Sequence, residues 1–327
     1  MPAIGEADLA RMRSELLFDG SERGRKLSKF WALLTLATVI ATAGVISDST
    51  ATVIGAMIVA PLMTPILGTV LSVVTADIRN VVRSISLVIA GAAVVVLLAW
   101  AVGQLIPFPV VSDTNTQVAG RVHPRLIDLV AALATGAVGS FALVRSDVSD
   151  TLPGVAIAIS LVPPLAVAGL TLESGKPHQS IGALLLFLTN VAAILLSGLV
   201  VMALYRVRVA ALREAGRSRL GSRAATFVVV GAVVVLAIPL AAASDRITTE
   251  ELHRADVTPV ANAWAKQRGW EVVDVVSEQG GVLVRATGPL PIPDAQTFRS
   301  ALNAHGLRSV SVQLELVPSE RTDLPGS

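Results

Sequence analysis

Two carboxylates stand at the edges of long apolar runs: Asp48 in "SDSTATVIGA" (Ser47–Ala56) and Asp147 in "SDVSDTLPGV" (Ser146–Val155). A carboxylate in such a place is costly, and it often marks an ion or proton route. The same residue just ahead of a helix can instead act as an N-cap, accepting hydrogen bonds from the first unpaired backbone N–H groups. Residue type permits both roles. Deeper in the same runs lie two proline pairs, Pro61/Pro65 and Pro163/Pro164. Proline removes a backbone donor and clashes with the preceding turn, so each pair is expected to break its helix. Pro65 lies roughly 20–25 Å along from Asp48 at 1.5 Å per residue, and Pro164 lies equally far from Asp147. Carbonyls freed at that depth of a bilayer are tolerated only inside protein or beside water. Together with Thr64, Ser160 and Asn190 they could form an oxygen-rich site for a small cation. A kinked, dry helix is the competing reading.

The two runs are related to each other. Sliding the chain by 99 residues places Ser47, Asp48, Thr52, Gly55, Ile58, Leu62, Pro65 and Leu71 on Ser146, Asp147, Thr151, Gly154, Ile157, Leu161, Pro164 and Leu170. The shared pattern S-D-x-[ST]-x-T-[VL]-x-G has polar or glycine residues at positions where apolar composition alone would not repeat. The same offset carries the first apolar run onto the fourth and the third onto the sixth. Three spans per copy is an odd number, so consecutive copies must cross a membrane in opposite directions. Inverted repeats of this kind recur in secondary transporters. Duplication of a stable bundle that transports nothing is the alternative.

The elements that must position these residues are long apolar helices. Of 327 residues 53% are hydrophobic and 15% charged, against about 25% charged in a soluble domain, and the mean hydropathy is +0.69. Seven runs approach the roughly 20 residues needed to cross a bilayer: Phe30–Ser47, Thr50–Ala76, Ser84–Leu105, Leu129–Val144, Thr151–Leu172, Ile181–Tyr205 and Ala224–Ala243. The fold class expected is an α-helical integral membrane protein of seven transmembrane helices, two inverted three-helix repeats plus one, with a small C-terminal α/β domain. The expected organisation is a cytoplasmic N-terminal segment (1–29), repeat 1 (30–107), an extracytoplasmic connection (108–128) and repeat 2 (129–206). An Arg-rich cytoplasmic loop (207–223), the seventh helix (224–243) and an extracytoplasmic domain (244–327) follow.

Orientation comes from Lys and Arg, which favour cytoplasmic connections. Arg23, Arg25, Lys26 and Lys29, then Arg79 and Arg83, Arg145, and the six arginines from Arg206 to Arg223 fall on one side with the N-terminus inside; Arg121 and Arg125 go against it. The Arg206–Arg223 stretch could also hold anionic lipid headgroups. Thr52, Ala56, Ala60, Thr64 and Gly68 form a small-residue stripe suited to close helix approach. From Ser244 on, helix-like and β-branched segments alternate as α-β-β-α-β, with a hairpin expected at Gln279-Gly280-Gly281. The chain has no cysteine and four scattered histidines, His123, His178, His253 and His305. With no nucleophile–base pair and no phosphate loop either, neither an enzyme nor a cofactor or metal centre is expected. Nucleic acid is not expected as a partner, because the arginines flank apolar runs.

The run "GAMIVAPLMTPILG" (Gly55–Gly68), with "SELLFDGSERGRKLSKFW" (Ser14–Trp31) ahead of it, resembles the prokaryotic membrane family catalogued as domain of unknown function 389, over roughly Ser14–Tyr205. The resemblance implies a multi-span protein of a prokaryotic cytoplasmic membrane and brings no catalytic residues with it. Two functions are expected. One is a transporter or channel for a small solute, a cation ahead of an anion, with Asp48 and Asp147 at the two mouths and the broken spans at the centre. The other is a non-transporting membrane assembly or sensor whose C-terminal domain binds a partner. Transport predicts a polar, solvent-reachable cavity at the breaks, and a sensor predicts tight apolar packing. A homo-oligomer is expected, because three-plus-three-plus-one bundles can form oligomeric channels.

Overall fold

A computed structural model of the chain describes residues 6–122, 124–145, 161–205, 207, 249, 252–278 and 281–319. The chain divides into two units, Met1–Ala243 and Ser244–Ser327.

The first unit is helical. A short amphipathic helix, α1 (Glu6–Leu16), precedes α2 (Arg23–Ile46), which begins a full two turns before the apolar run expected at Phe30. The chain reverses within Ser47–Ser49 because Asp48 takes the left-handed conformation (φ 51°), which Asp tolerates better than most residues. Ser49 then caps α3 (Thr50–Val59) by accepting from the Thr52 N–H. The run expected as one span, Thr50–Ala76, is broken: after Ala60, Pro61 and Leu62 a second helix, α4 (Met63–Thr75), continues at a 45° bend. Asp77 caps α5 (Ile78–Gly103) through the Asn80 N–H. A connection carrying α6 (Thr116–Val122) leads to α7 (Leu126–Val144), α8 (Val162–Glu173) and α9 (Pro177–Leu204).

Four helices, α2, α5, α7 and α9, are long and apolar enough to cross a membrane, and the bent pair α3/α4 passes the same test as one broken span. Of the fifth expected span only the part from Leu161 is described; residues 146–160 and the seventh expected span lie outside the described residues.

Contacts at the helix ends give the directions. The start of α2 lies by α1, where Lys26 donates to the Ser14 and Leu17 carbonyls, and its end lies by α6, where Asn115 donates to the Val45 carbonyl. α7 runs the other way, from beside α6 to Leu143, whose carbonyl accepts from Arg11 of α1. α5 ends beside α8, since a Cβ on Gly103 would lie 3.0 Å from the Glu173 side chain. α9 starts beside α6, where Gly182 touches the Val122 carbonyl, and it finishes with Tyr205 edge-on to Phe141 of α7. α4 and α8 are half-length helices that start at mid-depth and run to opposite ends. Both are enclosed: every residue of α8 from Val162 to Thr171 is buried, as is α4 from Pro65 to Ser72.

The second unit packs a helix over residues 252–266, here α10, and α11 (Ala295–Ala304) on a three-stranded sheet of β1 (Glu271–Glu278), β2 (Gly281–Gly288) and β3 (Val312–Pro318). β1 and β2 are antiparallel with an irregularity between Val272 and Asp274, and β2 and β3 are parallel. The order α-β-β-α-β is the one expected. Its own core contains Trp264, Trp270, Val284, Phe298 and Leu302.

Candidate functional site: half-helices and end clamps

The break in the first half is a matter of backbone chemistry. Pro61 has no N–H to give the Met57 carbonyl, and Ala60 leaves the helix with extended geometry (ψ 126°). The chain restarts with the Thr64 N–H on the Pro61 carbonyl (3.2 Å). Pro65 is the third residue of α4, and Pro163 and Pro164 lie in the first turn of α8. The first N–H groups of a helix have no partner inside it, so these three prolines begin half-helices and do not interrupt them. Among the described residues only Pro61 sits in a break.

The two half-helices cross the long helices of the opposite part of the chain at matched points. A Cβ on Gly198 of α9 would lie 3.1 Å from Val70 of α4; one on Gly169 of α8 would lie 2.8 Å from the Ala99 Cβ of α5 and against the Val96 carbonyl. Val70 and Gly169 are 99 residues apart, and so are Ala99 and Gly198. The helix starts follow the same interval: Met63 and Val162 for α4 and α8, Ile78 and Pro177 for α5 and α9.

Around the break at Pro61 and at the start of α8 the packing is apolar. Leu62, Met63, Leu161, Val162 and Leu165 are all buried, and Gly91 of α5 closes on Leu62, Leu34 and Phe30. Thr64 is half-buried on the first turn of α4, and Asn190 of α9 is 2% exposed. Most buried hydroxyls in the helices turn back on their own backbone, Thr69 to the Pro65 carbonyl and Thr171 to the Val167 carbonyl for example. Those of Thr42 and Ser140 are buried with no hydrogen-bond partner among the described residues. The sequence reading passed over both, and a lone hydroxyl in an apolar helix carries no signal that would single them out. Ser160 and Asp147 lie outside the described residues, as do all but Val207 of the Arg206–Arg223 segment.

Asp48 does not cap α3; Ser49 does. Its Oδ1 accepts from the Thr116 hydroxyl (2.8 Å) and the Gln117 N–H (3.0 Å), which ties the start of α6 to the α2–α3 corner. Gln117 Nε2 adds a bond to Thr50. These donors, the Thr116 hydroxyl first, hold the Asp48 carboxyl below its ordinary range. A depressed carboxyl stabilises the latch above the ordinary pKa near 4 and loses that contribution as pH falls through the depressed value. Exchange protection of the Gln117 amide is therefore expected to drop below about pH 4 in the wild type. In Asp48→Asn it should be weaker throughout and insensitive to pH; an equal drop in both would place the titrating group elsewhere.

Residues 57–196 match the family described as Domain of unknown function (DUF389), the family the Gly55–Gly68 run resembles. An uncharacterized protein of Methanocaldococcus jannaschii is 36% identical over 196 residues, and the match spans 60% of this chain and 60% of that protein. No solved structure matches the chain.

Proposed function

We propose that the chain is a transporter or channel for a small solute in a prokaryotic cytoplasmic membrane. In this reading two inverted halves, 23–103 and 126–204, enclose a path that passes between the half-helices α4 and α8. The observation that carries it is the pair of crossings Val70/Gly198 and Gly169/Ala99. A two-fold rotation exchanging the halves turns one crossing into the other, and half-helices that begin at mid-depth are the usual place for a solute site in such architectures. Inorganic cations are the first class to test. The helices α3, α4, α7, α8 and α9 contain no Lys or Arg, and those of α2 and α5 stop within the first two turns, at Lys29 and Arg83; Pro61 gives no N–H to the Met57 carbonyl. By the 99-residue interval Asn190 is the counterpart of Gly91, which lies at the level of the break at Pro61, so Asn190 is the polar side chain assigned to the matching level near the start of α8.

Uptake of Na⁺, K⁺, H⁺ and divalent cations into proteoliposomes tests this. Wild type should carry at least one of them. Asn190→Leu should lose tenfold or more of that flux while staying folded, whereas Asp48→Asn, which touches only the α6 latch, should leave the ion preference unchanged. The apolar packing around the break at Pro61 and at the start of α8 favours the second reading, an assembly or sensor that transports nothing. No flux of any cation from correctly folded protein would move the assignment there.

A further inference from the structure

The short helices α1 and α6 were read from sequence as tail and loop, yet they occupy matching positions at opposite ends of the first unit. Lys26 and Val45, their respective neighbours on α2, are roughly 28 Å apart along that helix at 1.5 Å per residue. Each short helix grips its own half. At one end Leu9, Met12, Leu16 and Phe18 are buried, the Leu16 carbonyl lies 3.0 Å from a Cβ placed on Gly68, Arg83 donates to the Phe18 carbonyl and Asn80 to Asp19. At the other end Val118 and Val122 are buried, the Val122 carbonyl lies on Gly182, and Gln179 bonds Ser112 in both directions. Asn80 and Gln179 are 99 residues apart, and so are Arg83 and Gly182.

Each short helix also reaches across to the other half, and to the same place on it. Arg11 of α1 donates to the Leu143 carbonyl at the end of α7 (2.6 Å), and Asn115 at the start of α6 donates to the Val45 carbonyl at the end of α2 (2.7 Å). Both carbonyls belong to a helix C-terminus, where acceptors lack partners within the helix. Asp48 strengthens the second link. Each half is thus preceded by a short helix that ties the two halves together.

We propose that α1 and α6 are alternating clamps, each closing one end of the path between the halves. The reading rests on the transport assignment above. The halves touch closely at two glycine crossings, one on either side of mid-depth, so rocking that loosens one crossing opens its end while the other crossing holds the far end closed. The clamp at the opening end must let go of the other half's carbonyl, while the clamp at the closing end tightens. With both engaged, as here, the path is shut at both ends.

Hydrogen exchange of the purified full-length chain, read peptide by peptide, tests the coupling without reference to flux. Asn115→Leu should raise exchange tenfold or more in residues 116–122 and lower it at least threefold in residues 9–18; Arg11→Gln should do the mirror image. Exchange in the distant helix unchanged or raised in both variants would overturn the proposal. If Asn115→Leu loosens α8 as well and is misfolded, Asp48→Asn with Arg11→Gln gives the same pair of readings. Reciprocal exchange without flux would remove the transport assignment and leave the clamps in place; flux without reciprocity would do the reverse.

Discussion

Replacing Gly169 by alanine is expected to cost about 3 kcal/mol, at the upper end of overpacking penalties. The new methyl would meet the Val96 carbonyl, the Ala99 Cβ and the Trp100 N–H at once. Two of these are backbone of α5 and cannot swing aside, so α5 and α8 would have to separate. α8 is buried on every side from Val162 to Thr171, and separation at one point therefore disturbs α2 and α9 too. A loss of roughly 5–10 °C in the apparent Tm is expected on that basis. Gly55→Ala is the control. Nothing lies within 4 Å of its added methyl, and alanine is favoured over glycine in a helix by about 1 kcal/mol. That variant should be neutral or more stable. Equal behaviour of the two would mean that α5 and α8 do not cross where Gly169 puts them.

The second large effect belongs to the other unit. Trp264→Ala should destabilise it by about 3–5 kcal/mol, the range for removing a large buried aromatic. Trp264 is 2% exposed, packs at a tilt against Phe298 (ring centroids 4.9 Å apart), donates its indole N–H to the Thr297 hydroxyl (2.9 Å) and carries Arg268 over its ring. Thr297→Val, which removes only the hydrogen bond, should cost about 1 kcal/mol. Exchange of the β2 amides reads both effects, because Val284 and Ala286 share the core with Trp264. In Trp264→Ala these amides should exchange far faster, and the amides of α8 should not change. Joint loosening would mean that the two units do not unfold separately.

Much of the helical framework was legible because its signals are local. The proline-marked break and the length of the apolar runs each depend on residues within a few positions. The 99-residue interval was legible for the same reason, since its polar marks fall at fixed spacing. What escaped depends on partners far along the chain. Asp48 looked like a cap for the next helix, but its partners Thr116 and Gln117 belong to a short helix that sequence gives no reason to bring near. The burial of α1 could have been seen in the spacing of Leu9, Met12 and Leu16, one face of a helix. Its charged neighbours Asp8, Arg11, Arg13 and Glu15 masked that stripe in any average over composition. At the first proline pair the break falls at Pro61, and Pro65 sits in the first turn of the helix that follows, where proline is tolerated. Pro163 and Pro164 also lie in a first turn, and residues 146–160 ahead of them lie outside the described residues.

The enclosed half-helices have a consequence for how the chain is made. α8 has 12 residues, about 18 Å of helix, too short to be inserted as a span on its own length. Its burial is complete only when α5, synthesised before it, and α9, synthesised after it, are both in place. α4 likewise meets its partner α9 only after Pro177 has been added. Neither half can therefore reach its native packing during synthesis by itself, and a ribosome stalled before α9 would leave α4 and α8 each lacking the neighbour that completes its burial. Addition of α9 is the step that completes the packing of both half-helices.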